Sequence, residues 1–236
     1  MPLPKLDVPT YDLTLPSSNR QITFRPFLVK EEKILLMAME GENQNEMVNA
    51  MKQIIGNCII EEINVDILPL FDLEFIFLNL RSKSVGAEST VGISCPNCTT
   101  TNQFEINLDD IKISKTEEHN KEILLTDSIG LIMKYPTVDV LKGVNISDET
   151  VDVENTMLMV ESCVETLWEG DATYDMSDYT KNERQEFFDN LTQSQFAEIQ
   201  SFFETMPKLS HDIQYSCSNC DYNDTMTLEG LQNFFG

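Results

Sequence analysis

The sequence has 236 residues and 41% apolar content, enough to bury a core in one or two domains. Its 40 acidic side chains against 16 basic ones give a formal charge of −24. A field of that sign repels phosphate backbones and anionic lipid, so nucleic acid and membrane are excluded as expected partners and basic protein surfaces are favoured. No run approaches the roughly 18 apolar residues of a membrane helix; the longest, Ile67–Leu80, is interrupted by Pro69, Asp72 and Glu74.

Residues 1–20, rich in Pro, Ser and Asp, read as an extended N-terminal arm, too polar to fold alone and suited to ordering against a neighbouring subunit. The opening Met1-Pro2-Leu3-Pro4-Lys5 lacks the basic region and apolar core of a signal peptide. Residues 21–90 read as a strand followed by a helical region. Gln21–Arg25 alternates as a half-buried strand and Pro26 ends it. Lys30–Met39 is a predicted helix, with Ile34, Leu35 and Ala38 on one face and Glu31 and Glu32 near its positive end. A polar turn over 41–45 precedes a second helix, Glu46–Asn57, striped by Val48, Met51, Ile55 and Cys58. The run from Ile67 to Arg81 predicts a buried third helix capped by Asp66.

The period then changes. Ser89–Ser94 and Thr101–Leu108 read as strands flanking Cys95 and Cys98, a hairpin over 91–112. Residues 113–210 read as a helical insert. It begins with a charged stretch, Lys115–Glu122, in which His119 is expected to be solvated surface. A strand over Leu131–Pro136, a short helix from Thr137 and a long amphipathic helix, Thr150–Trp168, follow; Trp168 is expected in the core. Thr180 and Glu183 make a capping box for a helix running to Leu191, and Thr192 caps a last helix, Gln193–Met206. Residues 211–236 read as the second hairpin and a C-terminal segment, with His211 beside a helix end. The expected class is α+β, mostly helical, with a small split zinc-ribbon-like β unit formed by two Cys-x-x-Cys knuckles.

Those knuckles are Cys95-Pro96-Asn97-Cys98 and Cys217-Ser218-Asn219-Cys220. Without a signal peptide the six cysteines are expected in a reducing compartment, where such spacing points to metal rather than to disulfides. A knuckle turns two thiolates the same way, and zinc takes four soft ligands at about 2.3 Å, so two knuckles complete one site. A weak internal repeat pairs them: Ser94 and Ser216 precede the cysteines, Asn97 and Asn219 lie between them, and Phe104 with Ile106 match Met226 with Leu228 in offset. The 118 residues between Cys98 and Cys217 far exceed the roughly 15–20 of compact ribbons, so the insert must start and finish at the ribbon. The expected cofactor is structural Zn2+ on Cys95, Cys98, Cys217 and Cys220; an iron centre, or two separate pairs without metal, stays open. Cys58 and Cys163 lie in apolar stripes and read as buried thiols. No Gly-rich phosphate loop, triad spacing or open metal position points to an enzyme, and none is expected.

One segment is more specific than its periodicity. Phe24-Arg25-Pro26-Phe27-Leu28-Val29-Lys30-Glu31-Glu32-Lys33-Ile34-Leu35-Leu36-Met37-Ala38-Met39-Glu40 resembles the N-terminal signature of the baseplate hub proteins of T-even-type contractile-tailed bacteriophages. Size, acidity, Cys58 after the second helix and a knuckle following Phe71–Arg81 agree with that family. The resemblance implies a structural or assembly component of the tail baseplate hub, partnered by other hub proteins. It also implies a homo-oligomer or ring subunit, located in the virion or in the host cytoplasm during assembly. Phe24, Phe27 and Leu28 are expected as core at the strand–helix junction. The alternative, a zinc-ribbon regulatory adaptor, is disfavoured by knuckle tips that carry no Lys or Arg.

Overall fold

The computed structural model describes residues 6–41, 44–138, 140 and 153–234. It divides into two compact units: Met1–Ser114 with Lys208–Gly236, and Lys115–Pro207. The first begins with a hairpin, β1 (Tyr11–Thr14) against β2 (Gln21–Phe24). The stretch expected as an extended arm therefore holds a strand of its own unit, anchored by buried Leu15 and by Ser17, whose N–H and hydroxyl both donate to Asp72. Ile22 and Phe24 alternate into the core as the pattern predicted. Helix α1 (Val29–Glu40) starts where the Glu31 carboxylate accepts from the Leu28 N–H, and Arg25 meets the same carboxylate at 3.0 Å. Phe24 and Phe27 are core, whereas Leu28 is 40% exposed. Helix α2 (Gln44–Cys58) buries Ala50, Ile54, Ile55 and Cys58.

Helix α3 (Leu70–Val85) starts later than expected. Pro69, with no N–H to leave unpaired, stands at its N-cap, and Asp66 belongs to a preceding 3-10 turn capped by Asn64. Then come β3 (Glu88–Ser94), β4 (Thr101–Asn107) and a short β5 (Lys112–Ser114).

The second unit corrects the expectation of a helical insert. Its centre is a four-stranded antiparallel sheet, ordered β6-β7-β8-β9: β6 (Glu122–Leu124), β7 (Ile129–Met133), β8 (Val164–Glu169) and β9 (Ala172–Asp175). Helices α4 (Val153–Ser162), α5 (Lys181–Asp189) and α6 (Gln193–Thr205) complete it. Leu131, Met133, Val160, Val164, Phe188, Ile199 and Phe202 form its core. The predicted helix to Trp168 stops at Ser162, because Val164–Glu169 is rich in β-branched and apolar residues and finds a strand partner on each side. Gly170 opens the two-residue turn between β8 and β9 with φ +57. Trp168 sits half-buried opposite Gly130. The expected capping box of Thr180 with Glu183 is formed, and Thr192 caps the last helix as expected, with Gln195 completing a second box. The helix expected from Thr137 and the start of the one expected from Thr150 fall largely outside the described residues.

The chain returns to the first unit as β10 (Lys208–Ser216) and β11 (Asn223–Glu229). β10 pairs with β11 on one edge and with β5 on the other, so that Ser114 lies opposite Lys208. His211 is in this strand, across from Leu228, and not at a helix end. A final 3-10 turn, Leu231–Phe234, is tied down by the Ser89 hydroxyl, which donates to the Phe234 carbonyl at 3.0 Å. Among the described residues helix makes up 40% and strand 30%, the strands forming four small antiparallel sheets, so the expectation of a mostly helical fold is corrected. Short apolar runs read alike as buried helix or strand from periodicity alone, which is why the sheet content was underestimated.

Candidate metal centre

Two hairpins of matching register hold the paired cysteines. In the first, Val91 faces Phe104 and Ser94 faces Thr101; in the second, Ile213 faces Met226 and Ser216 faces Asn223. The Cys95 N–H donates to the Thr100 carbonyl at 2.9 Å, and the Cys217 N–H to that of Tyr222 at 3.0 Å. The weak repeat in the sequence is thus a repeat of strand register and of the bond that closes each knuckle, although among the described residues only the first turn adds a Thr99 N–H donated to the Cys95 carbonyl, with Thr99 at φ +58.

All four predicted ligands come together. Cys95 Sγ lies 3.7 Å from Cys220 Sγ, and Cys98 Sγ 3.6 Å from Cys217 Sγ. The four sulfurs lie within 4.8 Å of one another. A tetrahedron around an ion with 2.3 Å metal–sulfur bonds has an edge of about 3.8 Å, so the spacing is compatible with a metal. It is too long for disulfides, whose sulfurs sit about 2.0 Å apart, and all six cysteines are free thiols. Cys95 and Cys217 are buried and their partners half-buried, amid Ile93, Phe104, Tyr215, Tyr222 and Met226.

The asparagines shared by the knuckles act across the site. The Asn97 amide donates to Cys220 Sγ and the Asn219 amide to Cys98 Sγ, each at 3.6 Å. Each knuckle therefore supports a sulfur of the other, and donors of this kind stabilise thiolate charge. Asn102 breaks the symmetry. Its side chain is buried, donates to the Tyr215 hydroxyl at 2.7 Å and to Cys217 Sγ at 3.7 Å, and accepts from the Ser218 N–H at 2.8 Å. Sequence reading missed it. The available signal was a polar residue in phase with Phe104 and Ile106 on the inward face of β4.

Electrostatics follow these donors. The hydroxyl and amide of Thr100, then the Asn219 amide, bring the Cys98 thiol down to about 6. Cys217 is lowered chiefly by the Asn219 backbone N–H. Cys220 has donors from the Tyr222 backbone and Asn97, yet burial and the neighbouring sulfurs push it up to about 11. A dication would convert the quartet to thiolates and relieve that competition. Outside the site, burial pushes the Cys58 and Cys163 thiols up to about 11, as befits inert core residues.

His119 is not the solvated residue expected. It is half-buried, with Nδ1 3.0 Å from the Thr205 hydroxyl, Nε2 3.1 Å from that of Tyr135, and its ring stacked on Tyr135. Burial, then Lys115 and Lys121, lower its pKa. Among the described residues the four cysteines are the one cluster arranged to hold a metal, and no described helix is long and apolar enough to cross a membrane.

Residues 8–236 match a family model described as T4 bacteriophage base plate protein. No curated protein and no solved structure matches the chain.

Proposed function

The chain belongs to the T4 bacteriophage base plate protein family, and from that premise we propose that it is a structural or assembly component of the baseplate hub of a contractile-tailed phage. It works by contact with other hub proteins and without turnover, in the virion tail or in the host cytoplasm while the tail is assembled. The observation that carries this reading is the family match, which spans both units. The site agrees with it. Four thiolates fill a tetrahedral ion's coordination and leave no position for a substrate or a reactive water. Zinc suits an all-sulfur tetrahedral set and brings no redox chemistry, which fits a staple between two hairpins. The charge of −24 suits partners with basic surfaces.

Assembled baseplates isolated from infected cells test the role. The chain is expected there at a fixed copy number, or in assembly intermediates, with baseplates failing to form in its absence. Normal baseplates without it would overturn the reading. Metal analysis of the purified protein is expected to return one zinc per chain. A Cys98→Ser variant that kept both zinc and fold would refute the closed site.

A further inference from the structure

An open groove of about 390 Å3 crosses the second unit, within the size range of ligand sites. Its floor is apolar: Leu125 and Ile129 from the β6–β7 hairpin region, Phe187 from α5, and Leu191 just beyond it. Its rim is acidic. Glu183 and Glu186 are exposed, and they share a helical face with Phe187.

The other polar groups lining the groove are engaged locally. The Gln195 amide donates to the Leu125 carbonyl while its oxygen accepts from Thr192. The Thr126 hydroxyl accepts from the N–H groups of Ser128 and Ile129, and the Asn190 amide donates to the Glu186 carbonyl. One Glu183 oxygen takes both donors of Thr180. What the groove offers a partner is therefore an apolar floor beside carboxylate oxygens. The surroundings reinforce that charge: residues 115–207 hold 20 acidic and 6 basic side chains, a formal −14.

We propose that this groove docks an apolar side chain flanked by Lys or Arg, presented by a segment of a partner protein. The floor takes the apolar group out of water, and Glu183 and Glu186 pair with the flanking cations. A small-molecule anion or an acidic segment is repelled by the same rim. The proposal rests on the reading that the protein acts through protein contacts, and it specifies one surface and one partner chemistry.

Methyl NMR on the full chain tests it, with the blocked pentapeptide Ser-Arg-Leu-Lys-Ser and its counterpart Ser-Glu-Leu-Asp-Ser as probes. The methyls of Leu125, Ile129 and Leu191 are expected to shift saturably with the basic peptide, at least tenfold more tightly than with the acidic one. Binding should weaken as salt rises. Glu186→Lys, a change on an exposed side chain, is expected to abolish or reverse the preference. Silent groove methyls, equal response to both peptides, or an unchanged preference in Glu186→Lys would each overturn the proposal. The outcome is separable from the baseplate role. A chain that takes the basic peptide but stays out of baseplates keeps the groove and loses the role; a chain found in baseplates with a silent groove does the reverse.

Discussion

At the scale of single residues, the cysteine quartet depends on neighbours that are not ligands. Asn97 and Asn219 each reach across to a sulfur of the opposite knuckle, so removing either weakens the half it does not belong to. Changes of this kind typically cost about 10–100-fold in metal affinity. Competition with a chromophoric chelator is expected to show that loss for Asn97→Ala and for Asn219→Ala alike, with the fold retained. Equal affinity in all three proteins would show the amides to be incidental. Asn102 is different in kind, since its loss removes the donor to the buried Tyr215 hydroxyl and the acceptor of the Ser218 N–H at once. The two asparagines between the cysteines were legible from the repeat. Asn102 was not, because one inward polar residue on a strand looks like noise until its partners on the other hairpin are known.

At the scale of elements, the sheet of the second unit turns on Gly130. A Cβ there would lie 2.4 Å from the Trp168 ring and 2.8 Å from the Ile123 carbonyl. The indole lies flush over this gap in the pleat, and its Nε1 is buried without a partner among the described residues. Gly130→Ala is expected to destabilise the protein by about 1–3 kcal/mol, as overpacking does. Urea unfolding, with Trp168 as a native fluorescence probe, measures it; an unchanged midpoint would mean the strand pair yields freely. The six described α-helices show how unevenly elements could be read. α5 and α6 have capping boxes written in sequence and appear where expected. The stretch after Ser162 has no such punctuation. Its apolar spacing fits a helix, and neighbouring strands decide the matter.

At the scale of the molecule, two features bear on stability. The second unit leaves from β5 and returns at β10, which are hydrogen-bonded with Ser114 opposite Lys208. A short turn in place of residues 115–207 is therefore expected to leave a first unit that folds and, if the proposed zinc site is right, binds zinc as the whole chain does. Loss of metal binding in that variant would show the units to be interdependent. The other feature is the pair of half-buried Arg25 with fully buried Glu31. Burial opposes ionisation of Glu31, but the Arg25 guanidinium, the Leu28 N–H and Lys30 outweigh it and hold the carboxyl below its usual range. Its stabilising contribution is thus present above the ordinary carboxylate pKa, about 4.3, and is lost as pH falls through the depressed value. Asp72 and Glu74 act oppositely: burial raises both, so their contribution is complete at low pH and fades as pH rises. These two are common to wild type and Glu31→Gln, so the difference between the proteins isolates Glu31. The wild type is expected to be the more stable at pH 7, with the gap closing below about pH 4; a gap constant with pH would contradict the assignment.

The sequence by itself determined the two cysteine knuckles, the capped helices and the baseplate family signature, because each is written in local spacing that needs no distant partner. Cys95-x-x-Cys98 and Cys217-x-x-Cys220 could be paired on paper, since ligand chemistry demands four sulfurs and the flanking residues repeat. Only the tertiary structure decided that Val164–Glu169 is a strand, that His119 is packed against Tyr135 and Phe202, and that Asn102 braces the site. In each case the deciding energy comes from a partner far along the chain: a strand edge, a ring face or a hydroxyl. A strand is stabilised by hydrogen bonds to another strand, a helix largely by its own, so the four-stranded sheet of the second unit was what the linear text could not show, whereas the two cysteine hairpins were legible.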